Sequence, residues 1–184
     1  MVARTNELSI KIEEAIRLLS VHVPLSDENS RKPVLFHSVR VGVYLYENGY
    51  SDDVVLAGFL HDTVEGWTTA TEQVVREAFG DNIMRLILAS TKDYSIEDSG
   101  DRTIELIKRC VQNGQDALIV KAADTIDSFR WYLGQNNEDE INTCVKTANA
   151  IFEVKPDGFD DKIFVELKKW SDKGKQRAQR EAIL

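Results

Sequence analysis

Residues 51–65 read SDDVVLAGFLHDTVE. Ser51 followed by Asp52 and Asp53 makes a good helix N-terminus. The hydroxyl can accept from an exposed backbone N–H, and the carboxylates lie at the positive end of the helix dipole. The run behind them is apolar around most of a helical circumference until His61. A helix of that kind belongs in the middle of a fold. Adjacent helical side chains point about 100° apart, so His61 and Asp62 share neither a core face nor a solvent face.

Outward from this central segment the period stays helical. From Thr5 to Ser20, Leu8, Ile10, Ile12, Ala15, Ile16, Leu18 and Leu19 leave the charged residues largely to the other side. A polar loop, Val21 to Lys32, leads to Pro33, which opens a helix that Gly49 can close. The segment HDTVE is expected to continue the central helix through Glu65. Thr69 and Glu72 have capping-box spacing for a helix ending near Gly80, and Asp81 starts another that runs to about Ser90. Residues 93–100, DYSIEDSG, form a polar acidic loop and are expected to be the mobile element. Helices are predicted over about 101–113, from Gln115 to about Leu133, over 138–153 and over 160–182, the last strongly charged and expected either to fray or to pack through a narrow stripe. Alternating strand patterns and internal repeats are absent from the sequence. The reading is all-α, a single domain of about eight helices, with a core over 1–135 and C-terminal helices over 136–184 packing on the same domain.

The chain has 184 residues, 42% of them hydrophobic, which suits one compact domain. A net charge of −8 argues against a broad surface for nucleic acid or anionic membrane, while a bound divalent cation would still permit a local phosphate site. No apolar run approaches the roughly 18 residues of a membrane span, and no signal pattern opens the chain, so a cytoplasmic protein is expected. Cys110 and Cys144 have no CxxC spacing and read as buried thiols. A homo-oligomer is left open.

Of the three histidines, His22, His37 and His61, the last two stand in otherwise apolar helices, and Asp124 interrupts the apolar KAADTI. Carboxylates are rarely buried unless paired or metal-bound. If the three places meet, His37, His61, Asp62 and Asp124 form a two-histidine, two-carboxylate set suited to Mn²⁺, Fe²⁺ or Zn²⁺.

The H…HD…D pattern resembles the HD-domain metal-dependent phosphohydrolases. SDDVVLAGFLHDTVEGWTTATEQVVREAFGDNIMRLILASTKD and ALIVKAADTIDSF are similar to the hydrolase domain of the RelA/SpoT family and its small stand-alone homologues. The likeness covers roughly residues 8–135. It implies the all-helical HD fold and the four residues above as metal ligands, with Mn²⁺ the first choice. The implied reaction is removal of the 3′-pyrophosphate of guanosine tetra- or pentaphosphate. Glu65, three residues after Asp62, would orient or deprotonate the attacking water or protonate the leaving oxygen. Lys121, Lys92, Arg31 and Lys32 are the candidates for phosphate contacts, and Trp67 and Tyr94 could stack on a base.

Three positions depart from the family pattern. Gly66 stands where an acidic residue usually follows the glutamate, so Asp93 or another carboxylate would have to substitute. Ser128 stands in place of a substrate-holding asparagine and keeps only a hydroxyl. The basic cluster before His37 is reduced to Arg31 and Lys32. Two other readings therefore stay open: a phosphohydrolase of another nucleotide, and a non-catalytic metal- or nucleotide-binding module.

Overall fold

The computed structural model describes residues 6–23, 32–65 and 68–181, with 178–181 by backbone only. Arg31, Gly66 and Trp67 lie outside the described residues. The described residues contain nine helices and no strand. They divide into two compact units, Met1–Thr91 and Lys92–Leu184.

The first unit holds α1 (Asn6–His22), α2 (Val34–Glu47), α3 (Asp52–Leu60), α4 (Glu72–Phe79) and α5 (Asp81–Ser90). As its composition requires, α3 is central. Every residue from Val54 to Leu60 is buried, and α3 packs against α1, α2 and α5. The Ser51 hydroxyl accepts from the Val54 amide at 3.4 Å, as expected for the cap.

Two boundaries differ from the sequence reading, for local chemical reasons. Helix α3 stops at Leu60 and does not run through Glu65. His61 Nδ1 takes the Gly58 carbonyl at 2.9 Å, and the Thr63 hydroxyl takes that of Leu60 at 2.6 Å. Side chains thus satisfy terminal carbonyls that further helical amides would otherwise take. Helix α4 is capped by Thr71, whose hydroxyl accepts from the Val74 amide at 3.3 Å, and not by Thr69. Thr69 is committed to His22 by two hydrogen bonds.

The α2–α3 crossing is built on two glycines. A Cβ on Gly42 would lie 2.3 Å from the Phe59 ring, and one on Gly58 would lie 2.4 Å from Leu45 Cδ1. Phe59 is only 1% exposed, so it has no open side to yield into. Gly42→Ala is expected to cost about 3 kcal/mol, at the upper end for an overpacked core. A urea midpoint shifted by less than the equivalent of about 1 kcal/mol would contradict this packing.

The second unit holds α6 (Ser99–Gln112), α7 (Gln115–Gln135), α8 (Glu138–Val154) and α9 (Lys162–Glu181). Helix α7 is its axis, buried from Ala117 through Phe129 and packed against α6, α8 and α9. Helix α9 carries the expected narrow stripe: Ile163, Phe164, Leu167, Ser171 and Gly174 are buried and its many charges are not. Cys110 and Cys144 are free and buried. Burial pushes the Cys110 thiol up to about 12, with nearby Lys121 opposing, so it stays protonated and inert at neutral pH.

The acidic loop before α6 is braced. Arg102 Nη2 donates to the carbonyls of Ile96 at 2.7 Å and Glu97 at 3.0 Å, and its guanidinium lies 5.0 Å from the exposed Tyr94 ring. Asp98 caps α6 by accepting from the amides of Gly100 and Asp101, which holds its carboxyl below the usual range. Asp93 accepts from the Ser95 hydroxyl and amide, with the same consequence.

Candidate metal centre

His37 sits one turn into α2, and His61 and Asp62 follow the end of α3. Both imidazoles are buried, at 0% and 2% exposure, and the Asp62 side chain is 19% exposed. His61 Nε2 lies 3.2 Å from His37 Nε2 and 3.4 Å from Asp62 Oδ2, and His37 Nε2 lies 3.8 Å from the same carboxylate oxygen. The rings meet edge to face, 74° apart.

The partners of these rings decide what the cluster can hold. His61 donates through Nδ1 to the Gly58 carbonyl, which leaves Nε2 of the neutral ring with its lone pair. An ammonium has donors only, so Lys32 Nζ, 2.7 Å from His37 Nε2, makes that nitrogen an acceptor too. Two imidazole nitrogens and a carboxylate oxygen therefore converge beside the Lys32 ammonium, a nitrogen-and-oxygen donor set that would suit a divalent cation in the ammonium's place. Donor atoms around a first-row divalent ion with bonds of about 2.1 Å stand roughly 3.0–3.4 Å apart at angles between right and tetrahedral. The three ligand atoms lie within 4.8 Å of one another and fit a divalent metal. The Gly58 carbonyl also supplies the outer hydrogen bond that ligating histidines ordinarily make.

Glu65 is buried at 7% exposure in the turn that follows. Its carbonyl is held by the Thr68 amide at 2.9 Å and the Thr68 hydroxyl at 3.0 Å, and the same hydroxyl reaches the Thr63 carbonyl. Glu65 therefore follows Asp62 through a threonine-stitched turn, where the sequence reading had a continuous helix face.

The other expected site residues take these places. Lys32 is at His37. In the second unit, buried Lys121 donates to Asp124 Oδ2 at 2.6 Å, and the Ser128 hydroxyl lies 3.3 Å from Asp124 Oδ1. Both oxygens of the buried Asp124 thus have partners on its own helix. Lys92 is exposed at the start of that unit. Sequence reasoning missed Gly58, Thr63 and Thr68. The threonines within and just after HDTVE, Thr63, Thr68 and Thr69, were the available signal, since such side chains hydrogen-bond nearby carbonyls where helices end.

The family model described as the HD domain matches residues 15–154. The chain belongs to the HD-domain family. Two relatives share the printed name guanosine-3′,5′-bis(diphosphate) 3′-pyrophosphohydrolase. That of Aquifex aeolicus (strain VF5) is 26% identical over 121 residues, 62% of this chain and 17% of that protein. That of Borreliella burgdorferi is 26% identical over 132 residues, 67% of this chain and 20% of that protein. The HD-domain chain thus spans about one-fifth of the length of these relatives. Among solved structures, a metazoan ortholog of SpoT that hydrolyzes ppGpp superposes with a TM-score of 0.71 at 18% identity, over 94% of this chain and 98% of that one. This last likeness concerns the fold. Among the described residues no helix is long and apolar enough to cross a membrane.

Proposed function

We propose that this HD-domain chain hydrolyses a nucleotide pyrophosphate ester, and specifically removes the 3′-pyrophosphate of guanosine tetra- or pentaphosphate. The convergence of His37, His61 and Asp62 beside the turn that carries Glu65 is the observation on which the reading stands. The relatives' names supply the substrate class. The proposed ligands are His37, His61 and Asp62; the family resemblance adds Asp124, on its motif alone. Mn²⁺ is the proposed ion, because nitrogen and oxygen donors without sulfur suit it. The proposed extents are a hydrolase core over 1–135 and accessory helices over 136–184, in a cytoplasmic protein whose partner is a small nucleotide.

When bound, the divalent ion acidifies water and neutralises charge on the phosphate. The chain's own residues do the remainder. Hydrolysis forms a bond from water oxygen to phosphorus and breaks the bond from phosphorus to the ribose 3′ oxygen. Glu65 accepts the water's proton and hands it on to the 3′ oxygen, which leaves as a hydroxyl. The proposed phosphate contacts are the lysines and arginine that the sequence offers, Lys121, Lys92, Lys32 and Arg31, by their charge alone.

A second reading, hydrolysis of another nucleotide, is favoured by one observation. Ser128 replaces the family's asparagine, and its hydroxyl lies against Asp124. The test offers Mn²⁺-loaded protein guanosine tetraphosphate, NADPH and a panel of nucleoside mono- and triphosphates. Pyrophosphate released from the first substrate alone is expected. Turnover of another nucleotide alone moves the assignment to the second reading, and no turnover with the metal bound would remove both.

A further inference from the structure

His22, the one histidine outside the candidate centre, ends α1 and is tied to a residue 47 positions away. Its Nδ1 lies 2.9 Å from the Thr69 hydroxyl, and its carbonyl accepts from the Thr69 amide at 3.3 Å. Thr69 adjoins Thr68, whose amide and hydroxyl both hold the Glu65 carbonyl. The segment that carries Glu65 is therefore fastened twice: locally through Thr68, and to α1 through Thr69. The α1 end of this fastening is itself fixed. Leu19 and Val23, on either side of His22, are buried in a small apolar cluster with Val34 and Leu35 at the start of α2. Helix α2 carries His37 a few residues on. One rigid corner thus supports both the histidine ligand and the glutamate turn.

We infer that His22 is a positioning residue for Glu65, acting through Thr69 and the adjoining Thr68 to hold the Glu65 backbone in register with the histidine cluster. The inference rests on the role proposed above for Glu65. A loose turn would leave ligand binding intact and misplace the proton acceptor, and misplacement of about 1 Å can cost roughly a hundredfold in rate. Two hydrogen bonds between residues so far apart also order a loop that sequence-local contacts alone would leave freer.

The test compares Thr69→Val, Thr69→Ser and His22→Leu. Thr69 is exposed, so its valine variant is expected to fold even where His22→Leu does not. Thr69→Val is expected to lower kcat about tenfold or more while KM and metal content stay within a factor of about two. Thr69→Ser, which restores the hydroxyl, is expected to recover most of the loss. Hydrogen exchange of the Thr68 and Thr69 amides is expected to quicken in Thr69→Val and return to the wild-type rate in Thr69→Ser. Unchanged kcat with unchanged exchange would overturn the inference, as would a loss that the serine variant fails to rescue. If the wild-type protein turns over no nucleotide, the proposed activity fails separately, and the exchange rates still decide whether the turn is anchored at His22.

Discussion

Replacing His61 with alanine is expected to strip the protein of its divalent ion and to lower kcat/KM by at least about a thousandfold, equivalent to roughly 4 kcal/mol of barrier. The reason lies in the acceptor geometry. Among the three candidate ligand atoms, His61 Nε2 is the closest to each of the other two, at 3.2 Å from His37 Nε2 and 3.4 Å from Asp62 Oδ2. Removing it leaves one imidazole and one carboxylate 3.8 Å apart, a two-donor site that holds first-row ions weakly. The substitution also opens a cavity and leaves the Gly58 carbonyl without its partner, so a stability loss accompanies it. Asp62→Asn separates the two effects. That side chain is partly exposed and its amide keeps nearly the same shape, so folding is retained while the charge is lost. Metal content measured after dialysis, with far-ultraviolet circular dichroism as the folding control, checks both variants. Full metal occupancy in folded His61→Ala or Asp62→Asn would remove this cluster from the mechanism.

The sequence carried the architecture where the physics was local. Helix α3 was legible because a capping serine, two first-turn carboxylates and an unbroken apolar run all pointed the same way. The stripe of α9 was legible from period alone. The end of α3 was not, because its stop depends on which side chains reach which carbonyls. His61 and Thr63 turn back onto Gly58 and Leu60, and helical spacing contains no sign of that choice. The α4 cap was displaced for a longer-range reason, since Thr69 had a partner on α1. At the candidate site, residue types and motif pointed to His37, His61 and Asp62, which the structure brings together, and to Asp124, which remains a proposal, whereas the place of Lys32 did not follow from spacing. Pro33 is extended, with φ −65° and ψ 100°, and Lys32 Nζ reaches His37 in the first turn of α2. A lysine read as a phosphate contact therefore also stands at a candidate ligand nitrogen, where its ammonium occupies the Nε2 lone pair that a metal would take.

Glu65→Gln is expected to keep the metal and lose the reaction. Glutamine matches glutamate in size and preserves the backbone carbonyl that Thr68 holds, so the turn survives the exchange. What disappears is a carboxylate able to take a proton from water. Positioned general bases contribute roughly 10²–10⁴-fold, and the loss in kcat is expected to fall in the upper part of that range. The neighbouring position is the reason. Residue 66 is glycine, so no side chain stands beside Glu65 to inherit the proton when the glutamate is replaced. KM is expected to stay within a few-fold, because the proposed phosphate contacts are residues other than Glu65, and that split identifies an interaction made only in the transition state. Steady-state kinetics on metal-saturated protein measures it, together with the acidic limb of the pH–rate profile, which the amide should flatten. A variant that retains more than about a tenth of wild-type kcat, with that limb unchanged, would mean that another group handles the proton and that the buried carboxylate serves the turn instead.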